Sequence, residues 1–342
     1  MVHWDVPRAP TGTLLTIRLA AEHGVAAETC LRGTRLPPEQ LDDPNAEVSA
    51  KQELTVIANL LDALGDPPGL GLEAGTRYRL TAYGIWGFAL ISSPTLRDAI
   101  DVGLRYVDLT YVFCRVQARE QDAEMQMVLD APDIPPELRR FVVERDAAAI
   151  QTIQRDLFAA PIPIRRISFA FPPPAGGTER YAEIFGVAPA FDAEENVTAL
   201  DAALLDVPLP QANEHTAALA QAQCRDLLAR RQARSGLAGQ VRDLILARPA
   251  DPPDADQVAA HLHMSDRTLR HRLAAEGTSF RDLLDEVREQ LAEELLVTGG
   301  LTVAEVAQRL GYVEVSSFSQ AFRRWKGVGP RAYRARQLAC RR

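Results

Sequence analysis

Cysteine is scarce: four residues, at 30, 114, 224 and 340, with no pair at Cys-x-x-Cys spacing. That excludes a disulfide framework and a zinc ribbon, and predicts reduced thiols in a cytoplasm. Long apolar runs are missing too. The longest, near Ile85 to Ile91, falls far short of the roughly 20 residues that span a bilayer. Met1 to Arg18 lacks a basic region followed by an apolar stretch, so no signal peptide is expected. Of six histidines, only His3, His23 and His215 lie outside the last ninety residues. No Ser/His/Asp or Cys/His set can be assembled from them, and a non-enzyme is expected. The glycine-rich Gly69-Leu-Gly-Leu-Glu-Ala-Gly75 lacks the Lys-Ser/Thr ending of a phosphate cradle and reads as a turn before a helix or strand. His261-x-His263 with His271 has no cysteine or carboxylate at ligand spacing, so no metal and no cofactor are expected.

What the chain has is uneven charge. Its net charge is −8. Residues 250–342 carry 14 basic and 13 acidic side chains, leaving −9 on the remainder. From Val315 onward there are eight basic residues and no acid. The acids of this region concentrate at Asp282, Asp285, Glu286, Glu289, Glu293 and Glu294. A locally basic surface on an acidic protein is compatible with a polyanionic partner.

The same region holds one pattern written twice. Val258-Ala259 and Leu262 match Val306-Ala307 and Leu310, on the buried face of a short helix. Leu269 and Leu273 match Phe318 and Phe322, again four apart. Thr302 with Glu305 forms a capping box, and Asp254 with Gln257 resembles one. Each copy therefore predicts helix, turn, helix. Between them Phe280, Leu283, Leu284, Val287, Leu291, Leu295 and Leu296 form one helical stripe, a rod of roughly 27 Å that Gly299-Gly300 would end. Such a rod suits two helices entering successive major grooves, roughly 34 Å apart.

Several phrases in residues 250–336 go beyond the pattern. They are Ser265-Asp-Arg-Thr-Leu-Arg270, Glu276-Gly-Thr-Ser-Phe280, Leu310-Gly-Tyr312, Ser316-Ser-Phe-Ser-Gln-Ala-Phe322 and Gly329-Pro330 with Tyr333-Arg334. On these the region resembles the DNA-binding domain of the AraC/XylS family of bacterial transcription regulators. Gly84 to Leu90, Ser93-Pro-Thr-Leu-Arg-Asp-Ala99, Arg105-Tyr106 and Tyr181 to Gly186 resemble the N-terminal ligand-binding-type region of regulators like the ornithine-utilisation regulator. The resemblance implies promoter DNA, RNA polymerase and a small-molecule effector as partners, a homodimer and, usually, activation. It implies a DNA-reading face of Arg267, Thr268, Arg270 and His271 in the first copy, with Arg267 and Arg270 at base edges and His271 at a guanine or a phosphate, and of Ser316, Ser317, Gln320 and Arg324 in the second, where Gln320 suits adenine and the serines suit phosphates or looser readout. Arg323 and Lys326 are expected at the DNA backbone.

The N-terminal part mixes helical spacing with alternation. Helices are expected over Leu14–Ala26, Glu53–Leu64, Thr95–Tyr106 and Glu137–Ala160. Strands are expected over Tyr111–Gln117, Ala123–Leu129 and Ile164–Phe171. The fold predicted is α+β, helices around a small antiparallel sheet, followed by an all-α domain with two helix-turn-helix motifs joined by a linker helix. Boundaries are expected at 1–210, 211–250 (a helical linker) and 251–342. Tyr83, Trp86, Arg105, Tyr106 and Tyr111, with Phe88 and Phe113, are candidates to line an effector pocket. Arg105 would hold a carboxylate, such as that of an amino acid. Two alternatives stand beside this reading: an N-terminal domain that only dimerises, and an enzyme, with a reactive cysteine, fused to a DNA-binding domain.

Overall fold

The computed structural model describes residues 7–43, 46–158, 162–234, 236–298 and 301–340. Gly299-Gly300, His3 and the end of the helix expected to Ala160 lie outside them. The chain divides into two compact units between Arg231 and Gln232.

In the first unit, a two-stranded ribbon pairs β1 (Pro7–Arg8) with β2 (Val48–Ser49). Around it come α1 (Thr11–Glu22), α2 (Ala27–Leu31), α3 (Ala50–Leu64), α4 (Leu70–Gly75), α5 (Ile85–Ile91) and α6 (Leu96–Arg105). Then follow β3 (Arg115–Gln121), β4 (Glu124–Asp130), α7 (Pro136–Leu157), β5 (Ile164–Ser168), α8 (Glu179–Phe185), β6 (Asn196–Asp201) and α9 (Glu214–Arg234). The four longer strands form an antiparallel sheet in the order β3-β4-β6-β5. Capping boxes start α3 (Ser49 with Gln52) and α6 (Thr95 with Asp98), and Gly65 ends α3 in the left-handed conformation that glycine adopts without strain.

The first hairpin begins later than alternation predicts. Tyr111 to Cys114 form no ladder, because the amides of Phe113 and Cys114 donate to the Asp146 carboxylate, at 3.0 and 2.9 Å. The Gly69–Gly75 stretch is also corrected: most of it is α4, a helix. Its glycines are there for approach. A Cβ on Gly71 would meet the Phe141 carbonyl oxygen at 2.4 Å, and one on Gly75 the Arg145 carbonyl oxygen at 2.3 Å. Only bare backbone lets α4 lie so close to α7.

α7 carries more buried charge than an amphipathic helix needs. Glu144 is almost fully buried and accepts a hydrogen bond from the Tyr181 hydroxyl at 2.5 Å. Burial pushes its carboxyl up to about 7, against the opposing effect of that bond. A carboxyl raised on folding binds its proton more tightly in the folded state. Its contribution is therefore complete below the unfolded value and declines as pH rises through about 7. Glu144→Gln, which keeps an acceptor for Tyr181, should flatten this dependence. Relative to the variant, the wild type should lose about 3 kcal/mol between pH 4 and pH 8 in denaturant titrations. Parallel profiles for the two proteins would refute the assignment.

The second unit is helical: α10 (Gly236–Leu246), α11 (Ala255–His261), α12 (Asp266–Ala275), α13 (Phe280–Thr298), α14 (Val303–Arg309), α15 (Val315–Lys326) and α16 (Pro330–Cys340). It has two small cores. Val258, Ala259, Leu269, Leu273, Leu283 and Val287 build one; Leu296, Val306, Ala307, Leu310, Phe318 and Phe322 build the other. The stripe of α13 serves both, and Leu291 packs against each. Burying each of the larger side chains, valine, leucine or phenylalanine, contributes about 1.5–3 kcal/mol. The segment expected as a linker, 211–250, is shared out. Ala220 and Cys224 of α9 lie in a core of the first unit, and Leu237 and Val241 of α10 in a core of the second.

Candidate nucleic-acid interface and ligand cavity

Each repeat forms the pair of helices its pattern predicts. In the first, the Asp254–Gln257 capping box starts α11 and His263, at φ 55°, makes the turn. Ser265 caps α12 by accepting from the Thr268 amide at 3.2 Å, and its hydroxyl lies 2.8 Å from that of Thr268. In the second, the Thr302–Glu305 box starts α14 and Gly311, at φ 76°, makes the turn. A Cβ on Gly311 would lie 2.6 Å from the Ala250 carbonyl oxygen. Leu269 and Leu273 fix which side of α12 faces the core; Phe318 and Phe322 do so for α15.

The opposite sides are open. Arg267, Arg270 and His271 are exposed together on α12, while Thr268 is half-buried with its hydroxyl at the cap. Arg270 pairs with Asp266 one turn earlier at 2.8 Å. On α15, Ser316, Ser317, Gln320, Arg323 and Arg324 are exposed. Ser316 donates to Glu314 at 2.9 Å, and Arg324 reaches Asp285 of α13 at 3.0 Å. Lys326, expected at the DNA backbone, instead bridges Glu289, at 2.8 Å, and Glu293. These carboxylates raise its ammonium pKa above the usual lysine value. The acids at 285, 289 and 293 stand four apart on one helix face, and that spacing was the available signal for these bonds. Tyr333 donates to Glu293 at 2.6 Å and Arg334 to the Leu296 carbonyl at 2.8 Å, so α16 locks onto α13.

The first unit contains a cavity of about 100 Å³. Tyr78, Tyr83, Trp86 and Tyr111 form its aromatic part, with Tyr83 4.9 Å from Trp86 and 5.6 Å from Tyr111 between ring centroids. Leu90, Leu96, Ile100, Val116, Met127, Ile153 and Leu157 supply aliphatic wall, and Arg145, Asp146 and Gln154 the polar part. Of the expected residues, Tyr83, Trp86 and Tyr111 come together here. Arg105 and Tyr106 do not line it: Arg105 is exposed, and Tyr106 is buried in the core. Phe88 is exposed, and Phe113 lies beneath the Arg145 guanidinium at 4.9 Å. The carboxylate-holding role expected of Arg105 is thereby corrected, because its side chain is exposed and does not line the cavity.

Sequence reasoning missed Tyr78, Arg145, Asp146 and Gln154. The signal was an arginine at a position of α7 that its apolar spacing marks as internal. Arg145 is 1% exposed. It donates to Asp146 at 2.9 and 2.7 Å, to the Tyr111 carbonyl at 2.9 Å and to Glu53 at 3.5 Å. Burial alone would lower its pKa, but Asp146, Tyr78 and Glu53 outweigh burial and hold it above the ordinary arginine value. Cys30, Cys114 and Cys224 are buried, and burial pushes each thiol up, opposite to the direction of an activated nucleophile. Among the described residues, no helix is long and apolar enough to cross a membrane.

Known proteins share both halves. Residues 24–209 match the family described as the arabinose-binding domain of AraC transcription regulators, N-terminal, and residues 258–336 a helix-turn-helix domain. An HTH-type transcriptional regulator of Mycobacterium tuberculosis (strain ATCC 25618 / H37Rv) is 39% identical over 328 residues, 95% of each chain. The ornithine utilization regulator of Pseudomonas aeruginosa is 37% identical over 333 residues, 96% of each chain. Among solved structures, the transcriptional regulator CdpR from Pseudomonas aeruginosa aligns with a TM-score of 0.48 at 28% identity, covering 95% of this chain and 98% of that one.

Proposed function

The chain belongs to the AraC family of helix-turn-helix transcription regulators, and on that premise we propose that it sits on a promoter through α12 and α15 and responds to a small molecule in its N-terminal cavity. The observation that carries the first half is the pairing of a buried and an open side on each second helix. Leu269/Leu273 and Phe318/Phe322 face inward, so Arg267, Arg270 and His271, and Ser316, Ser317, Gln320 and Arg323, are presented outward.

An arginine can bridge O6 and N7 of guanine, and a glutamine can pair with adenine. Arg267, Arg270 and Gln320 are assigned to base edges. His271 donates to a guanine or a phosphate, Thr268 acts through the helix cap, and Arg323 and the two serines contact the phosphate backbone. Arg324 joins them by exchanging Asp285 for DNA; exposed ion pairs of this kind contribute only about 0–1 kcal/mol, so the exchange is cheap. The protein acts in the cytoplasm as a homodimer that recruits RNA polymerase, and the effector biases it by binding one arrangement better than another.

Genome-wide mapping of the bound protein at native level tests this. The expected result is discrete peaks upstream of an operon, each holding two short elements about one helical turn apart. Enrichment indistinguishable from background, with and without extracts of metabolites, would remove the regulator reading from this chain's own DNA-binding unit.

A further inference from the structure

The cavity has no charge to spare. The Arg145 guanidinium has five N–H donors, and four hydrogen bonds already go to Asp146, the Tyr111 carbonyl and Glu53. Asp146 is equally committed. One oxygen takes Arg145 twice, and the other takes the Phe113 and Cys114 amides. A carboxylate entering here would find no free cation. An ammonium group would meet aromatic rings, but the guanidinium already lies over Tyr78 at 5.5 Å and repels a second positive charge.

One polar group is unspent. Gln154 is 5% exposed and lines the cavity, yet its Oε1 is buried with no hydrogen-bond partner among the described residues. A buried amide oxygen left unpaired destabilises the fold, and such an atom in a native structure calls for an explanation. The unpaired atom is an acceptor, so it matches a neutral group that donates: a hydroxyl or the N–H of a carboxamide. The size is bounded as well. A cavity of about 150 Å³ holds benzene, so about 100 Å³ takes a body of one ring or less with small side-chain adjustment.

We infer that the effector is a small uncharged molecule, an apolar body about the size of one ring bearing a single hydroxyl or amide group, which pairs with Gln154 while its body lies against Tyr78, Tyr83, Tyr111 and Trp86. This rests on the cavity being the effector site, as proposed above. It replaces the amino acid or carboxylate that the sequence suggested.

Calorimetry on the full chain decides it, with phenol, benzamide, toluene, benzoate, tetramethylammonium and ornithine as probes. Phenol or benzamide should bind at least tenfold more tightly than benzoate, tetramethylammonium or ornithine. Gln154→Leu should weaken phenol and benzamide about tenfold while leaving toluene within twofold. Gln154→Met, unbranched and close in length, serves should the leucine variant fold poorly. Tight benzoate, ornithine or tetramethylammonium binding, or phenol binding indifferent to Gln154, overturns the neutral-ligand inference and leaves the effector site standing. Silence from every probe overturns both. Neither result touches DNA binding, which is measured separately.

Discussion

Replacing Arg145 with methionine is expected to destabilise the N-terminal unit by about 3–5 kcal/mol, the usual result of removing one partner from a buried ionic cluster. The reason is what stays behind. Glu53 is fully buried, and burial already pushes its carboxyl up, with Arg8 and Arg145 pulling it down. Without Arg145, Arg8, 3.5 Å away, is the one cation among the described residues that still answers it. Asp146 keeps its two amide donors but loses both guanidinium bonds. The Tyr111 carbonyl loses the donor that ties the cavity wall to α7. Urea titration followed by circular dichroism measures the change, and a loss under 1 kcal/mol would mean the cluster is dispensable. The deficit should also shrink in acid. An unpaired Glu53 protonates more readily in the folded state, so the variant's stability falls as pH rises through that raised value. Adding Glu53→Gln to the variant should recover part of the loss at neutral pH and none at low pH.

Arg145 also marks where the sequence ceased to be readable. Periodicity placed α3, α6 and α7 to within a few residues: α3 and α6 each bury an apolar stripe and start with a capping box, and α7, though buried on every side, keeps helical spacing at Leu138, Phe141, Val142, Ala149 and Ile153. The repeats in the second unit were legible for the same reason. Val258-Ala259 and Val306-Ala307 are small, apolar and paired, and only close helix crossings need that. The cavity was legible only in its aromatic part, Tyr83, Trp86 and Tyr111. Its polar part comes from α7, where Arg145 lies 34 residues beyond Tyr111 and 67 beyond Tyr78, and Tyr78 and Tyr111 themselves stand outside any helix or strand. Local reading favoured Arg105, near the aromatic residues in sequence, over Arg145, which meets them in space. β6 was overlooked because Asn196-Val-Thr-Ala-Leu-Asp201 is short and becomes a buried strand only between β4 and β5. The Gly69–Gly75 helix was misread because glycine usually disfavours a helix, and here the gain is close contact with α7.

Arg267→Ala with Arg270→Ala is expected to abolish sequence preference while leaving the fold intact. Each bidentate contact to guanine discriminates by about 1–3 kcal/mol. Together they predict a loss between about 30-fold and somewhat over 10⁴-fold in specific affinity, at roughly tenfold per 1.4 kcal/mol. Neither side chain supports the core. Arg270 is 74% exposed, and its one pair, with Asp266, is an exposed contact within a single helix. Circular dichroism and thermal unfolding should therefore match the wild type. Arg323→Ala is the contrast. A phosphate contact should weaken binding about equally on specific and random DNA and lower the salt slope by about 1. Anisotropy titrations over a range of salt separate the two patterns. An unchanged spectrum with specific binding intact in the double variant would remove α12 from its proposed role.

The glycine-lined contact between α4 and α7 has a mechanical consequence. Where side chains interleave, one helix can slip against another as rotamers rearrange. Where Gly71 and Gly75 leave backbone against backbone, no such clearance exists. One face of α7 forms part of the cavity wall and another bears on α4, so a displacement that begins at Ile153 or Gln154 is handed on rather than absorbed. α4 in turn holds Glu73, gripped by His23 of the chain after α1, by Arg77 and by Arg180 of α8. The two helices thus work as a stiff rod with its inner end at the cavity and its outer end clamped at the surface of the unit. A push of a fraction of an ångström within would be felt at three separate points outside.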